Sequence, residues 1–304
     1  MQNTSHLLMI RPAAFGFNPE TAVNNVFQVN SGNTEDISKE AIKEFDGFVD
    51  ILTKNEIDVV VYQDTIQPHT PDAVFPNNWV SFHEDGTCCI YPMFAENRRN
   101  ERSKQVLELV KQKFQLTKII DFTYLEDEML FIEGTGSMVL DRENKIMYAC
   151  ISPRTSLKAL YTFCDTMNYT AVHFNAFGIN GIPVYHTNVM MSVAGDYVIA
   201  CIDAINNPEE KKFITKAIHL TDKKLIEISV EQMNCFAGNM LQVINNKNEK
   251  ILIMSKQAYE SLTQQQIREL ETFNSIVYAN LKTIETNGGG SARCMMAEIF
   301  LPLK

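Results

Sequence analysis

Short apolar runs bounded by Gly, Asn or Asp recur along this chain, and between them lie stretches whose apolar residues fall three or four apart. The first pattern predicts strands and the second predicts amphipathic helices. Read together, they give a repeated unit of two strands, a helix and a third strand. One unit comprises Trp79–Phe82, Thr87–Tyr91, a helix over Arg98–Phe114, and Lys118–Asp121. The next comprises Met129–Leu140, Ile146–Ile151, a helix over Thr155–Met167, and Ala171–Phe174. A third comprises Thr187–Val193, Tyr197–Ile202, a helix over Pro208–Leu220, and Leu225–Ile228. A fourth comprises Met240–Ile244, Ile251–Met254, a helix over Lys256–Phe273, and Ser275–Tyr278. The fifth is split across the termini: Cys294–Leu301, then His6–Arg11, a helix over Thr34–Leu52, and Asp58–Tyr62. In that helix Ile37, Ala41, Phe45, Phe48 and Leu52 form one stripe, with Thr34 as the expected N-cap and Asp36 in the first turn. Pro208 followed by two glutamates marks a helix start, and Asp85-Gly86 marks a hairpin turn.

Asn78, Glu133, His186, Asn239 and Cys294 precede or open the first strand of successive units, at intervals of 55, 53, 53 and 55 residues. A supersecondary unit with such a period marks a propeller-like array. In an array of this kind equivalent strand starts converge on one end of the axis, and residues far apart in sequence share one pocket.

Composition narrows the function classes. The 304 residues are 45% hydrophobic and 21% charged, with a net charge of −10. Length alone allows one large domain or two, but no Pro/Ser linker or low-complexity segment divides the chain, so one domain over 1–304 is expected, and the negative charge argues against nucleic acid or an anionic membrane as partner. No apolar run is long enough to span a bilayer. Seven cysteines without a CxxC pair, and no secretory leader pattern, point to free thiols in a cytoplasm. No His/Cys cluster has zinc spacing, so neither a metal nor another cofactor is expected. Cys88 and Cys89 alternate across a strand and are expected to be core and surface, while Cys150, Cys164, Cys201 and Cys235 sit in apolar surroundings and are expected to be inert. Gly134-Thr135-Gly136 lacks the third glycine of a dinucleotide fingerprint.

The chemistry centres on Cys294, which follows Gly288-Gly289-Gly290. A thiol becomes a good nucleophile once deprotonated, and an imidazole can take the proton. A carboxylate can fix that imidazole's tautomer and stabilise its charged form. Cys294, His186 and Glu133 therefore make a complete set for attack on an electron-poor carbon and delivery of a proton to a leaving amine. Backbone N–H groups of the glycine run are candidates for stabilising an oxyanion.

Several segments carry a family resemblance. GGGSARCM at 288–295 resembles the nucleophile segment of arginine deiminases. PDAVFPNNWVSF at 71–82, NRRNE at 97–101 and SPRT at 152–155 are similar to stretches of the dimethylarginine hydrolases. The chain is thus identified as a member of the guanidine-modifying enzymes of the pentein fold, a five-bladed, pseudo-symmetric ββαβ propeller of the α/β class, here with its fifth unit closed by both termini. FPNNW, EGTGS, YHTNVMMS and FAGNM look closest to the citrulline-utilisation hydrolase branch, which is amidinotransferase-like. The resemblance implies Cys294 as nucleophile, His186 as acid and base, and Glu133 as its partner. It further implies that Arg98 and Arg154 hold a substrate α-carboxylate and that Asp72 lies near the α-amino group.

The departures point to the substrate. Guanidine enzymes carry an acidic residue at the position of Asn78 and often another at Asn188, where carboxylates grip a cation. Here Asn77-Asn78 and Asn188 offer amides, which both donate and accept and so suit a neutral ureido group. The expected reaction is hydrolysis of a small ureido amino acid, citrulline first, to ornithine, ammonia and CO2. The alternatives are a guanidine hydrolase or amidinotransferase acting on arginine or a derivative, and a pentein that binds a partner without catalysis.

Overall fold

The computed structural model describes residues 1–178 and 181–304. In chain order its strands are β1 (His6–Arg11), β2 (Asp58–Gln63), β3 (Val80–Phe82), β4 (Thr87–Ile90), β5 (Lys118–Asp121), β6 (Val139–Asp141), β7 (Ile146–Cys150), β8 (Thr170–Phe174), β9 (Met191–Val193), β10 (Tyr197–Ala200), β11 (Lys224–Glu227), β12 (Leu241–Ile244), β13 (Lys250–Ser255), β14 (Ser275–Ala279) and β15 (Ala297–Glu298). They form five three-stranded sheets of one topology: β3-β4-β5, β6-β7-β8, β9-β10-β11, β12-β13-β14 and β15-β1-β2. In each, the first strand runs antiparallel to the second and the third runs parallel to it. The parallel pair needs a crossover, and a helix supplies it in every unit. The fifth sheet joins both ends of the chain, with Leu7 opposite Glu298 and Leu8 opposite Ala297.

The middle strands read as unbroken apolar runs because both of their faces are covered. Leu7 and Met9 of β1 pack with Phe45, Phe48 and Leu52 of the Thr34–Lys54 helix, while Leu8 and Ile10 pack with Val106, Val110 and Phe114. Met147 and Ala149 of β7 join Leu160 and Phe163, whereas Tyr148 and Cys150 join Val198 and Ile214. Strand β5 is largely exposed and β11 and β14 are partly so, and Lys118 and Lys224 stand on two of these edges, a placement that discourages pairing with another chain.

The five-unit reading holds, and its local errors share a cause. The first strands are shorter than expected because a tight turn precedes most of them: Pro76–Asn78, Gly134–Ser137, Thr187–Met190 and Ala292–Met295. The strand expected over Met129–Leu140 is only Val139–Asp141, since Ser137 Oγ caps Glu133 N (2.8 Å) and Gly134 takes a φ of +46°. Thr187 opens no strand; its hydroxyl bonds Ser137 O (2.6 Å) and accepts from Cys150 N (2.8 Å). The helix expected over Lys256–Phe273 breaks into Lys256–Ser261 and Gln264–Glu271, where Thr263 and Gln266 make a capping box. The helix over Arg98–Phe114 is a 3-10 turn, Asn97–Glu101, followed by Lys104–Lys113. Asn33, not Thr34, is the N-cap of the long helix, because its side chain reaches Glu35 N. Cys89 is not at the surface: both Cys88 and Cys89 are fully buried, in different core clusters.

Candidate active site

The turns that shorten the first strands bring Asn78, Glu133, His186, Asn239 and Cys294 together at one end of the sheets. Cys294 Sγ accepts from Asn239 Nδ2 at 3.2 Å and from Asn188 Nδ2 at 3.3 Å. Asn239 also accepts from Arg293 N (3.0 Å) and donates to Asn188 O (2.8 Å), so it ties the nucleophile segment to the third unit. Asn188 Oδ1 is buried without a partner among the described residues. Of the glycine-run N–H groups expected to face an oxyanion, that of Gly289 is already given to Glu285 O, and the neighbouring N–H groups of Arg293 and Cys294 are given to Asn239 Oδ1 and Ser291 O.

His186 Nε2 lies 2.7 Å from Glu133 Oε2, and both residues are buried. Burial opposes the charge on Glu133, but Arg154, the His186 hydrogen bond and Arg98 outweigh it and hold the carboxyl down at about 2. Burial pulls His186 down to about 4 against the raising effect of Glu133, with Arg154 and Arg98 lowering it further. At neutral pH the pair is therefore carboxylate and neutral imidazole. Because an ionised carboxylate only accepts, the proton sits on Nε2 and Nδ1 keeps its lone pair. Gly136 makes room for this ring: a Cβ there would lie 2.7 Å from His186 Nδ1 and 2.5 Å from Asn78 Nδ2.

The six substrate-binding candidates fall into two groups. Asp72, Asn78, Arg98 and Arg154 line one cavity with His186 and Cys294. Asn77 and Asn188 lie outside that lining: Asn77 donates to Thr135 Oγ1 (3.3 Å) and accepts from Asn78 Nδ2 (3.0 Å), while Asn188 reaches the sulfur. Arg98 is buried, with Nε and Nη2 forked onto Glu101 (2.8 and 2.9 Å) and Nη1 on Asn78 Oδ1 (2.8 Å). Asp72 is the only carboxylate of that lining. Burial raises its pKa against the pull of Arg98 and a bond from Asn18, and Asp72 Oδ1 has no partner among the described residues.

A strap that carries no mark in the sequence closes this cavity. Residues 18–28 cross it, and Thr21 and Asn25 line it. Arg154 donates to Thr21 O and Asn24 Oδ1, both at 2.7 Å, and Asp72 accepts from Asn18 (2.7 Å) and Thr21 (3.1 Å). The strap is stitched to the nucleophile loop by Asn25 on Gly289 O and Gln28 on Asn287 O, both 3.2 Å. Tyr185, also unanticipated, donates to Gly289 O and lies under the Arg154 guanidinium (4.9 Å). The space left is about 10 Å³, room for one water. Two larger cavities of about 390 Å³ contain none of the catalytic set. Among the described residues no cluster of three or more His, Cys, Asp or Glu could hold a metal, and no helix is long and apolar enough to cross a membrane.

A family model described as N,N-dimethylarginine dimethylhydrolase, eukaryotic, matches residues 11–301. The chain belongs to this family. Within the pentein guanidine-modifying superfamily, the dimethylarginine hydrolase family shares its fold with several solved enzymes. An arginine dihydrolase of the ornithine-ammonia cycle in cyanobacteria, ArgZ, superposes with a TM-score of 0.74 at 17% identity over 98% of this chain. This chain spans only 41% of ArgZ, but 98% of its isolated N-terminal domain. AgrE with ornithine and NAD+ gives a TM-score of 0.74 at 18% identity, covering 98% of this chain and 40% of that one. The Pseudomonas aeruginosa dimethylarginine hydrolase complexed with citrulline gives 0.65 at 16% identity, covering 98% and 100%. No curated protein matches the chain.

Proposed function

We propose that this member of the dimethylarginine hydrolase family hydrolyses a ureido amino acid, with citrulline as the best substrate. One observation carries the reading: the sulfur is surrounded by amide donors from Asn188 and Asn239, and the only carboxylate of the cavity lining, Asp72, is held by the strap. Arg98 is already paired with Glu101 and Arg154 faces Glu133 at 3.6 Å, so a guanidinium would be buried beside the thiol with no unpaired carboxylate to grip it. A neutral ureido group carries no such penalty, and its N–H and C=O groups match Asn188 Oδ1 and the amide N–H groups.

In the reaction His186 Nδ1 takes the Cys294 proton as the sulfur bonds to the ureido carbon. The tetrahedral adduct expels the ornithine amine, which takes that proton back from His186. Glu133 stabilises the imidazolium between the two transfers. Water, deprotonated by the same histidine, then cleaves the S-carbamoyl bond, restoring the thiol and releasing carbamate, which falls to ammonia and CO2. Arg154 and Asp72 hold the α-carboxylate and α-amino groups in place of the strap contacts they now make. Substrate entry requires the strap to lift, since an amino acid cannot share the present space.

Steady-state turnover of citrulline, arginine and N,N-dimethylarginine, read as loss of substrate and release of ornithine, citrulline, ammonia and dimethylamine, tests the assignment. Citrulline should give the highest kcat/KM. A second reading, arginine hydrolysis, draws on the likeness to an arginine dihydrolase. Faster turnover of arginine than of citrulline would favour it and overturn ours.

A further inference from the structure

The carbonyl of Gly289 is held by two donors that differ in kind. One is Asn25 Nδ2 of the strap, at 3.2 Å, and the other is the Tyr185 phenol O–H. Both residues are buried, and both line the reaction cavity. The Gly289 carbonyl and the Gly290 N–H belong to one rigid peptide plane. Gly290 in turn lies against the nucleophile, since a Cβ there would sit 3.3 Å from Cys294 Cβ. A hold on this carbonyl is therefore a hold on the segment that carries the sulfur. Tyr185 directly precedes His186, and their rings lie 4.7 Å apart. Its O–H thus ties the nucleophile segment to the acid/base segment across 104 positions of chain. Burial raises the phenol pKa, so the group stays a donor. When the strap lifts, Asn25 leaves Gly289 O and Gln28 leaves Asn287 O, whereas Tyr185 does not travel with the strap.

We propose that Tyr185 is a positioning residue for the reaction: its O–H keeps Cys294 in register with His186 while the strap is open, and Asn25 joins it when the strap closes. The aromatic ring does a separate job. It lies under the Arg154 guanidinium at 4.9 Å and edge-on to Phe27 of the strap at 6.2 Å. Phenylalanine at this position therefore removes the tie and keeps the ring contacts. The inference rests on the covalent route through Cys294 and on the lifting of the strap, and not on which ureido or guanidino compound is turned over.

Alkylation of Cys294 by iodoacetamide, followed by peptide mass mapping on the full chain without substrate, reads the open state, because the closed cavity has room for one water only. Asn25→Ala should speed this alkylation about threefold or more, since a strap contact is lost. Tyr185→Phe should slow it about tenfold, since the thiol drifts from the imidazole that takes its proton, and should slow it by the same factor in the Asn25→Ala background. A phenol that served packing alone would give the opposite sign, because looser packing exposes the sulfur. In turnover, Tyr185→Phe should lower kcat about tenfold and leave KM within about twofold. Tyr185→Leu, which also loses the Arg154 contact, should raise KM as well. Alkylation of Tyr185→Phe as fast as that of the wild type, or faster, overturns the proposal, and so does a wild-type kcat in Tyr185→Phe. Equal alkylation rates in Asn25→Ala and the wild type overturn the open-state role. A preference for arginine over citrulline would change the substrate assignment and leave every one of these alkylation rates where it was.

Discussion

Gly136→Ala should disable the enzyme without touching any reacting group. Gly136 has no positive φ, so the backbone accepts alanine, and the obstacle is contact alone. The new Cβ would sit 2.7 Å from His186 Nδ1 and 2.8 Å from Cε1, where ordinary contact begins at 3.4 Å. The shortfall is 0.7 Å at the nitrogen that exchanges the proton. Little around the ring can yield. Nε2 is pinned to Glu133 at 2.7 Å, Glu133 is pinned to Phe94 N at 2.9 Å, and the Tyr185 ring lies 4.7 Å from the imidazole centroid. Overpacking of this kind costs about 1–3 kcal/mol of stability. Misplacing a catalytic group by most of an ångström costs roughly 10- to 100-fold in rate. Steady-state kcat and thermal unfolding, measured side by side, separate the two effects. Gly47→Ala is the control, because Gly47 lies on the exposed side of the Thr34–Lys54 helix with nothing within 4 Å of its added Cβ. It should gain roughly 0.5–1 kcal/mol and keep full activity. Wild-type kcat in Gly136→Ala with an unchanged Tm would refute the geometry assigned to His186.

Other expectations follow from the same contacts. Cys294→Ser should fold normally, with unchanged Tm, and give no turnover; residual activity above background would rule out the covalent route. Asn239→Ala removes one of the two donors to Cys294 Sγ and the acceptor of Arg293 N, so kcat should fall by about tenfold or more, at about 1.4 kcal/mol per decade, while Asn239→Asp should be worse because it brings an anion to the sulfur. Acid should withdraw the stabilising contribution of the His186–Glu133 pair in two steps. The folded pKa of His186, about 4, lies below its ordinary 6.5, so its stabilising contribution is complete above 6.5 and is lost as pH falls toward 4. Glu133, held at about 2, adds a second loss as pH falls from 4.5 toward 2. Glu101 and Glu285, raised to about 7 by burial, gain stability over the same range, so the test is the Tm difference between wild type and His186→Asn, which should shrink as pH falls from 8 to 4.

Much of this was legible in the sequence because the middle strands are buried on both faces and the helices are strictly one-sided. Ile146–Cys150 and Lys250–Ser255 came out within a residue of their expected bounds at each end. The first strands read less well. Their N-terminal residues include apolar and β-branched ones, as in Thr187-Asn188-Val189-Met190, yet they turn, because Asn239 of the next unit holds Asn188 O while the Thr187 hydroxyl bonds Ser137 O and Cys150 N of the preceding one. Propensity carries no record of such long-range partners. The break at Leu262-Thr263 was readable, since Thr263 and Gln266 form the S/T-x-x-Q signature. The strap was not. Asn18, Thr21, Asn24 and Asn25 resemble loop residues anywhere, and their meaning comes from Asp72 and Arg154, which lie 54 and 130 residues away from their partners Asn18 and Asn24. Cys89 went wrong for a simpler reason: alternation along a strand says which way a side chain points, not whether a helix waits there.

Drawing the centre from one position in each of five units separates what the scaffold must keep from what the chemistry can change. The residues at 78, 133, 186, 239 and 294 precede the strands they introduce, so the blade interiors pack largely without regard to them. Exchanging a single one alters the charge or proton inventory of the centre while the framework stays intact.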